Sequence, residues 1–233
     1  MEFYRLEKGG YVFYARSIFD KKEKFYQILI GSKKRPSCML YIIYKNNPTA
    51  ILQGISYDDR CASNKPMPKK IGTRDMMLVS MYFIKNIFPW IKIIELTDNS
   101  SFNCDNKIIL TSIMSFLLHG KSWYEKYFNA NPENIRIYNE YKNKYMLNPK
   151  LLSFEEIWKL LKYDKQLNKE TIKNMYDNSI TYIDFINKIY KEYNCNPFIT
   201  ISNNNNLLRV LNIPFDILTN EWFIKVDSIT FEN

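Results

Sequence analysis

The chain has 233 residues, 46% of them hydrophobic and 16% aromatic, enough for the core of one large domain or two small ones and too apolar for a disordered chain. Its 33 Lys and Arg against 24 Asp and Glu give a net charge of +9, which favours anionic partners such as nucleic acid, phosphorylated cofactors or a membrane surface. MEFYRLEKGG at the start is polar, no apolar run reaches membrane-spanning length, and the single His119 lacks Cys or His neighbours at ligand spacing, so no signal peptide, membrane span or metal site is expected.

The basic excess is spread along the chain, densest at residues 21–24, 33–35 and 69–74. Cys38, Cys61, Cys104 and Cys195 lie far apart and form no CxxC pair. They are expected to be reduced thiols of an intracellular protein. The wealth of Lys, Asn, Ile and Tyr is the usage of an AT-rich genome.

In chain order, residues 11–19, 25–30, 38–44 and 50–56 are short runs rich in Ile, Tyr, Phe and Val, separated by turn clusters. Connections of that length predict an antiparallel meander. Residues 57–70 are polar, and Pro66 and Pro68 argue against helix and central strand alike. A helix is predicted from Thr73, its cap, with Asp75 in the first turn. Its buried face is Met77, Met81, Ile84 and Phe88, widened by Met76, Phe83 and Ile87, and Pro89 ends it. Residues 90–96 are an apolar strand of the kind covered on both faces.

A polar loop is expected over 97–107 and a second apolar helix over 108–118, closed by Gly120 in the left-handed conformation. His119 is read as a helix-end residue. Ser122 caps a short continuation through residues 123–128. Beyond residue 129 the chain turns Asn-rich. Ser153 and Glu156 make a capping box, helices are predicted near 169–176 and 181–193 with Ile183, Ile186 and Tyr190 on one face, and 222–226 is a last strand. Residues 203–206 are a low-complexity loop. The expected class is α+β with an α/β-like core, a mixed and mostly antiparallel sheet with flanking helices. The expected division is a sheet-and-helix domain over 1–130 and a mainly helical region over 131–233.

The chemistry is concentrated at the basic turn before the first helix. Lys69, Lys70, Ile71, Gly72, Thr73 and Arg74 combine cations, a glycine and a helix start, which together favour a phosphorylated anion. In a strand–helix–strand unit ligands bind at the carboxyl ends of the strands.

Lys69-Lys-Ile-Gly72-Thr-Arg74, the element order around it and Tyr124, Lys126 and Phe128 of WYEKYF resemble the GNAT-type N-acetyltransferases over residues 38–130. One loop glycine aligns while both loop ends differ. Leu117 stands where the family carries asparagine, and Tyr127 where it carries glycine. GKSWYEKYF with this composition also resembles uncharacterised acetyltransferase-like proteins of giant DNA viruses, which implies a host-cytoplasm or virion location. The resemblance implies acetyl-CoA as cofactor, its pyrophosphate on the amides of residues 71–74, and transfer of the acyl group to an amine. Tyr124 takes the position of the family's acid. Glu95 and Asp98, at the end of the strand, are candidates for the base. Two further readings are a GNAT-like scaffold without catalysis and a basic nucleic-acid-binding module. The latter rests on aromatics interleaved with lysines at 25–26, 41–45 and 138–145.

Overall fold

A computed structural model describes residues 2–98, 100–104, 107–147, 150, 152–161, 167–195, 197–198 and 221–228. The chain divides into two compact units. One is Met1–Thr97 with Tyr127–Ala130 and Trp222–Asn233, and the other is Asp98–Lys126 with Asn131–Glu221. The class is mixed α+β, with a large, mostly antiparallel sheet and several helices. No described helix is long and apolar enough to cross a membrane.

The first unit is built on a meander: β1 (Glu2–Lys8), β2 (Tyr11–Asp20), β3 (Phe25–Gly31), β4 (Met39–Tyr44) and β5 (Thr49–Ile55), each antiparallel to the one before. β1 was not among the expected strands. Its mixture of Glu, Arg and Lys with Phe, Tyr and Leu is that of an edge strand with one half-buried face. Gly9 and Gly10, at φ 59° and 74°, supply the left-handed turn of the first hairpin.

Helix α1 (Lys69–Ile87) then crosses to β6 (Ile93–Thr97), which pairs parallel with β5 through Thr49–Ile93, Ala50–Ile94, Ile51–Glu95 and Leu52–Leu96. The strand predicted over 90–96 therefore lies beside β5, as the helical crossover requires. Beyond β6 the sheet continues with β10 (Glu221–Lys225), the last strand in chain order. α1 buries Met76, Met77, Met81, Phe83, Ile84 and the following Phe88, each worth about 1.5–3 kcal/mol. Tyr41 of β4 anchors it: its hydroxyl shares a 2.6 Å hydrogen bond with Ser80 in the core. The helix begins at Lys69, ahead of the expected Thr73, directly after Pro68, which sits at φ −70° and has no amide hydrogen to satisfy.

The second unit holds a hairpin where a polar loop was expected, β7 (Ser101–Cys104) against β8 (Lys107–Leu110). Helix α2 (Thr111–His119) therefore starts later than residue 108. Gly120 closes it at φ 63°, donating its N–H to Phe116 O at 2.7 Å, as predicted. α3 (Trp123–Phe128) is capped by Ser122, whose Oγ accepts from Glu125 N at 3.0 Å. A two-residue strand β9 (Asn131–Pro132), α4 (Ile135–Tyr141) and a π-helical turn (Lys142–Leu147) follow.

α5 (Phe154–Leu161), α6 (Lys169–Asp177) and α7 (Tyr182–Tyr193) each open on a cap: Ser153 with Glu156, Asn168, and Thr181. On α7 the buried face is Tyr182, Phe185, Ile186 and Ile189, one step round from the predicted stripe, with Ile183 and Tyr190 half-buried at its edges. The loop over 203–206 lies outside the described residues.

The cysteines are not four separate thiols. Cys38 is bonded to Cys61 in the first unit and Cys104 to Cys195 in the second. Spacing along the chain concealed both pairs, since the folded Cα–Cα distances are 5.9 and 6.2 Å across separations of 23 and 91 residues.

Candidate functional site

The parallel pairing of β5 and β6 sets their carboxyl ends side by side, and α1 begins in the chain that leaves β5. One feature marks that end, and a second marks the start of α1. The β4–β5 register slips between Leu40–Gly54 and Tyr41–Leu52, so Gln53 is an extra residue on β5 and the ladder is interrupted there. The first turn of α1 has no side-chain cap and no acidic residue. In any α-helix the opening amides, here those of Lys69, Lys70 and Ile71, have no intrahelical acceptor. With the helix dipole they favour an anion.

The remaining residues of the basic stretch are placed differently from a phosphate loop. Gly72 is the fourth residue of α1, and its N–H donates to Pro68 O at 2.9 Å. Of the amides at 71–74 expected to meet a pyrophosphate, only that of Ile71 is left outside the helical ladder. A Cβ on Gly72 would collide with the side chain of Met67, which is itself buried. The glycine thus admits a methionine rather than a ligand. Met67 is held there by its carbonyl, which accepts from the Tyr57 hydroxyl at 2.6 Å. Arg74 is exposed and lies 3.8 Å from the buried Asp75.

Glu95 is half-buried on β6 opposite Ile51. Asp98 and Tyr124 belong to the second unit and are buried. Ser100 donates to Asp98 Oδ1 through Oγ at 2.6 Å and N at 3.3 Å. Asp98 Oδ2 has no hydrogen-bond partner among the described residues. Burial raises the Asp98 carboxyl above its ordinary value, against the pull of the Ser100 hydrogen bonds. Tyr124 packs edge-on against Trp123, with ring centroids 5.0 Å apart.

The aromatic signature carries a polar cluster that sequence reading missed. Glu125 accepts from the Tyr138 hydroxyl at 2.5 Å and from Lys142 Nζ at 2.6 Å. Ser122 N donates to Tyr138 Oη at 3.3 Å. Burial, reinforced by Glu125, pushes the Tyr138 phenol well above its ordinary value, so it stays a hydrogen-bond donor. Glu125 alternates with aromatics in sequence, and only the fold brings Tyr138 and Lys142 to it.

His119 ends α2 and is held neutral by burial and by the nearby Lys126, which lower its pKa. Of the aromatics considered for base stacking, Tyr44 is exposed and three others face inward. Tyr41 and Tyr138 are buried, and Tyr26 packs on Phe88 at 5.2 Å and Phe19 at 4.7 Å.

No protein-family model, curated protein or solved structure matches this chain.

Proposed function

We propose that this protein is an acyl-CoA-dependent, N-acetyltransferase-like protein whose anionic cofactor docks at the amino end of α1. One observation carries the reading. The crossover helix between the parallel strands β5 and β6 opens with no side-chain cap and no acidic residue in its first turn. The opening amides and the basic residues Lys69, Lys70 and Arg74 suit a phosphorylated ligand. Gly72 does not contribute, since Met67 fills the space beside it. Acetyl-CoA supplies a thioester carbonyl for an attacking amine. Glu95, half-buried beside β5, is the group suited to take the ammonium proton. Asp98, whose burial favours the protonated form, is less suited to act as a base.

A second reading is a non-catalytic scaffold on the same fold, and the burial of Tyr124 and Asp98 favours it. Calorimetry with acetyl-CoA, followed by an assay for released thiol with a panel of amines, separates the two. Binding that weakens in Lys70→Glu and Arg74→Glu supports the site, and thiol release that falls in Glu95→Gln supports catalysis. Binding without thiol release selects the scaffold. Absence of heat at millimolar acetyl-CoA rejects the acyl-CoA reading.

A further inference from the structure

The alternation of β2 points Phe13, Ala15 and Ser17 into the core and leaves Tyr14 and Arg16 on the opposite face. There, Phe3, Tyr14, Arg16, Ser32, Lys33 and Pro36 line a cavity of about 340 Å³. Phe3 is the direct cross-strand neighbour of Arg16, and the guanidinium lies 5.0 Å from its ring centroid. Lys33 Nζ lies 5.0 Å from the centroid of Tyr14. The cavity wall thus holds two cations and two rings, with no carboxylate among the lining residues.

Its charge is uncompensated. Arg16 Nε is buried and has no hydrogen-bond partner among the described residues, an expensive state for a charged donor. Among the described residues no acid pairs with Arg16 or Lys33. Three other arginines of this unit are paired, Arg5 with Glu7 and Arg35 and Arg60 with Asp58. Among the described arginines of the first unit, Arg16, which faces the cavity, is the one without an acid.

The wall is also held in shape before any ligand arrives. Gly31 lets the following turn fold back on β3, because a Cβ there would collide with Arg35 O. Ser32 N donates to Arg35 O at 3.0 Å, and Arg35 N donates to Ser32 Oγ at 2.9 Å. Lys33 N donates to Ser63 Oγ at 3.2 Å, and the Cys38–Cys61 disulfide ties the two loops together. Such a wall loses little entropy on binding.

We propose that this cavity is a binding site for a small anion carrying a planar ring, of the nucleoside monophosphate class. Arg16 and Lys33 take the charge, and the Phe3 ring, 61% exposed, together with Tyr14 and Pro36 takes the flat body. A volume of about 340 Å³ is at the lower end of small-molecule pockets, sized for a monomer rather than a polymer. The site is independent of α1 and of the acyl-CoA reading.

The test is calorimetry of the full chain with adenosine monophosphate, with adenosine and inorganic phosphate as the ring-only and charge-only arms. Adenosine monophosphate is expected to bind at least about tenfold tighter than either. Arg16→Gln and Lys33→Gln should each weaken it about tenfold or more, whereas Lys70→Glu leaves it unchanged, separating this site from the start of α1. Arg16→Gln gives up the contact with Phe3 but also removes a buried unpaired donor, so the melting temperature should change little, and Lys33→Gln gives a second variant outside the core. No binding at millimolar nucleotide, equal affinity for phosphate and nucleotide, or unchanged affinity in both variants overturns the proposal.

Discussion

The two units reach order by opposite means. In the first, residues far apart in sequence are paired by ladders: β1 to β5 run as one antiparallel meander, and a helical crossover adds β6. In the second, order is local. α5, α6 and α7 each begin on a side chain that accepts a nearby amide hydrogen: Ser153 from Glu156, Asn168 from Thr171 and Thr181 from Asp184. Its long-range ties among the described residues include Asn187 Nδ2 donating to Leu118 O at 2.8 Å and the Cys104–Cys195 bond. A ladder distributes its cooperativity over many bonds, whereas capped helices depend more on each tie between them.

That contrast predicts unequal consequences of reduction. Closing a 91-residue separation restrains the unfolded chain more than closing one of 23. The chain-entropy relation gives about 4.6 kcal/mol for the larger loop and about 3.4 for the smaller. Cys104→Ala with Cys195→Ala should therefore lower the urea midpoint more than Cys38→Ala with Cys61→Ala. An equal or reversed order would show that the ladder, not the helical unit, relies on its bond.

How much of this was legible beforehand follows the same division. The alternation of Tyr11, Phe13 and Ala15 and the crossover to β6 could be read because period and connection length survive in sequence. The caps at Ser122 and Ser153 were legible for the same local reason. β1 was not, since an edge strand needs only one apolar face. The β7–β8 hairpin was hidden in residues that read as loop. The site was less legible still: Gly72 looks identical in sequence whether it faces a phosphate or Met67, and Arg16 gives no sign that its Nε lacks a partner. Those are properties of neighbours, and neighbours are what a linear reading lacks.

Gly72 sharpens the comparison within the ordered unit. Glycine to alanine inside a helix ordinarily stabilises by about 1 kcal/mol. Here the new Cβ would meet Met67 Cγ and Sδ, and overpacking costs about 1–3 kcal/mol. Gly72→Ala is therefore expected to be destabilising by up to about 2 kcal/mol in the natural sequence and stabilising when Met67→Ala makes room. A double-mutant cycle by urea unfolding measures the coupling. Additive effects would mean that Met67 is not what requires the glycine.

Asp98 gives the second unit a pH dependence. Burial raises its folded pKa above the unfolded value, so the contribution to stability is fully present below the unfolded pKa of about 3.9. It is lost as pH rises through the folded pKa, because the unpartnered Oδ2 must then carry charge in the interior. Asp98→Asn keeps the oxygen that accepts from Ser100 and removes that charge. Its stability relative to the natural protein should rise from acid to neutral pH, within the range of about 1–3 kcal/mol that an unsatisfied buried polar atom costs. Parallel pH profiles of the two proteins would refute the assignment.

The smallest effect tests whether the helical unit is as local as its caps suggest. Thr181 accepts from Asp184 N at 3.2 Å, and Lys188 reaches back along α7 to Asp184 Oδ2 at 3.1 Å and to Ser179 Oγ at 3.0 Å. Thr181→Ala removes the acceptor but leaves the lysine contacts, so the loss should be about 1 kcal/mol. Thr181→Gly loses the same hydroxyl while keeping an acceptable cap backbone, and should cost less than alanine. In hydrogen exchange the loss should be confined to the first turn of α7. Protection lost equally along α5 and α6 would mean that the three helices open together, and that their caps share one cooperative unit rather than each guarding its own helix.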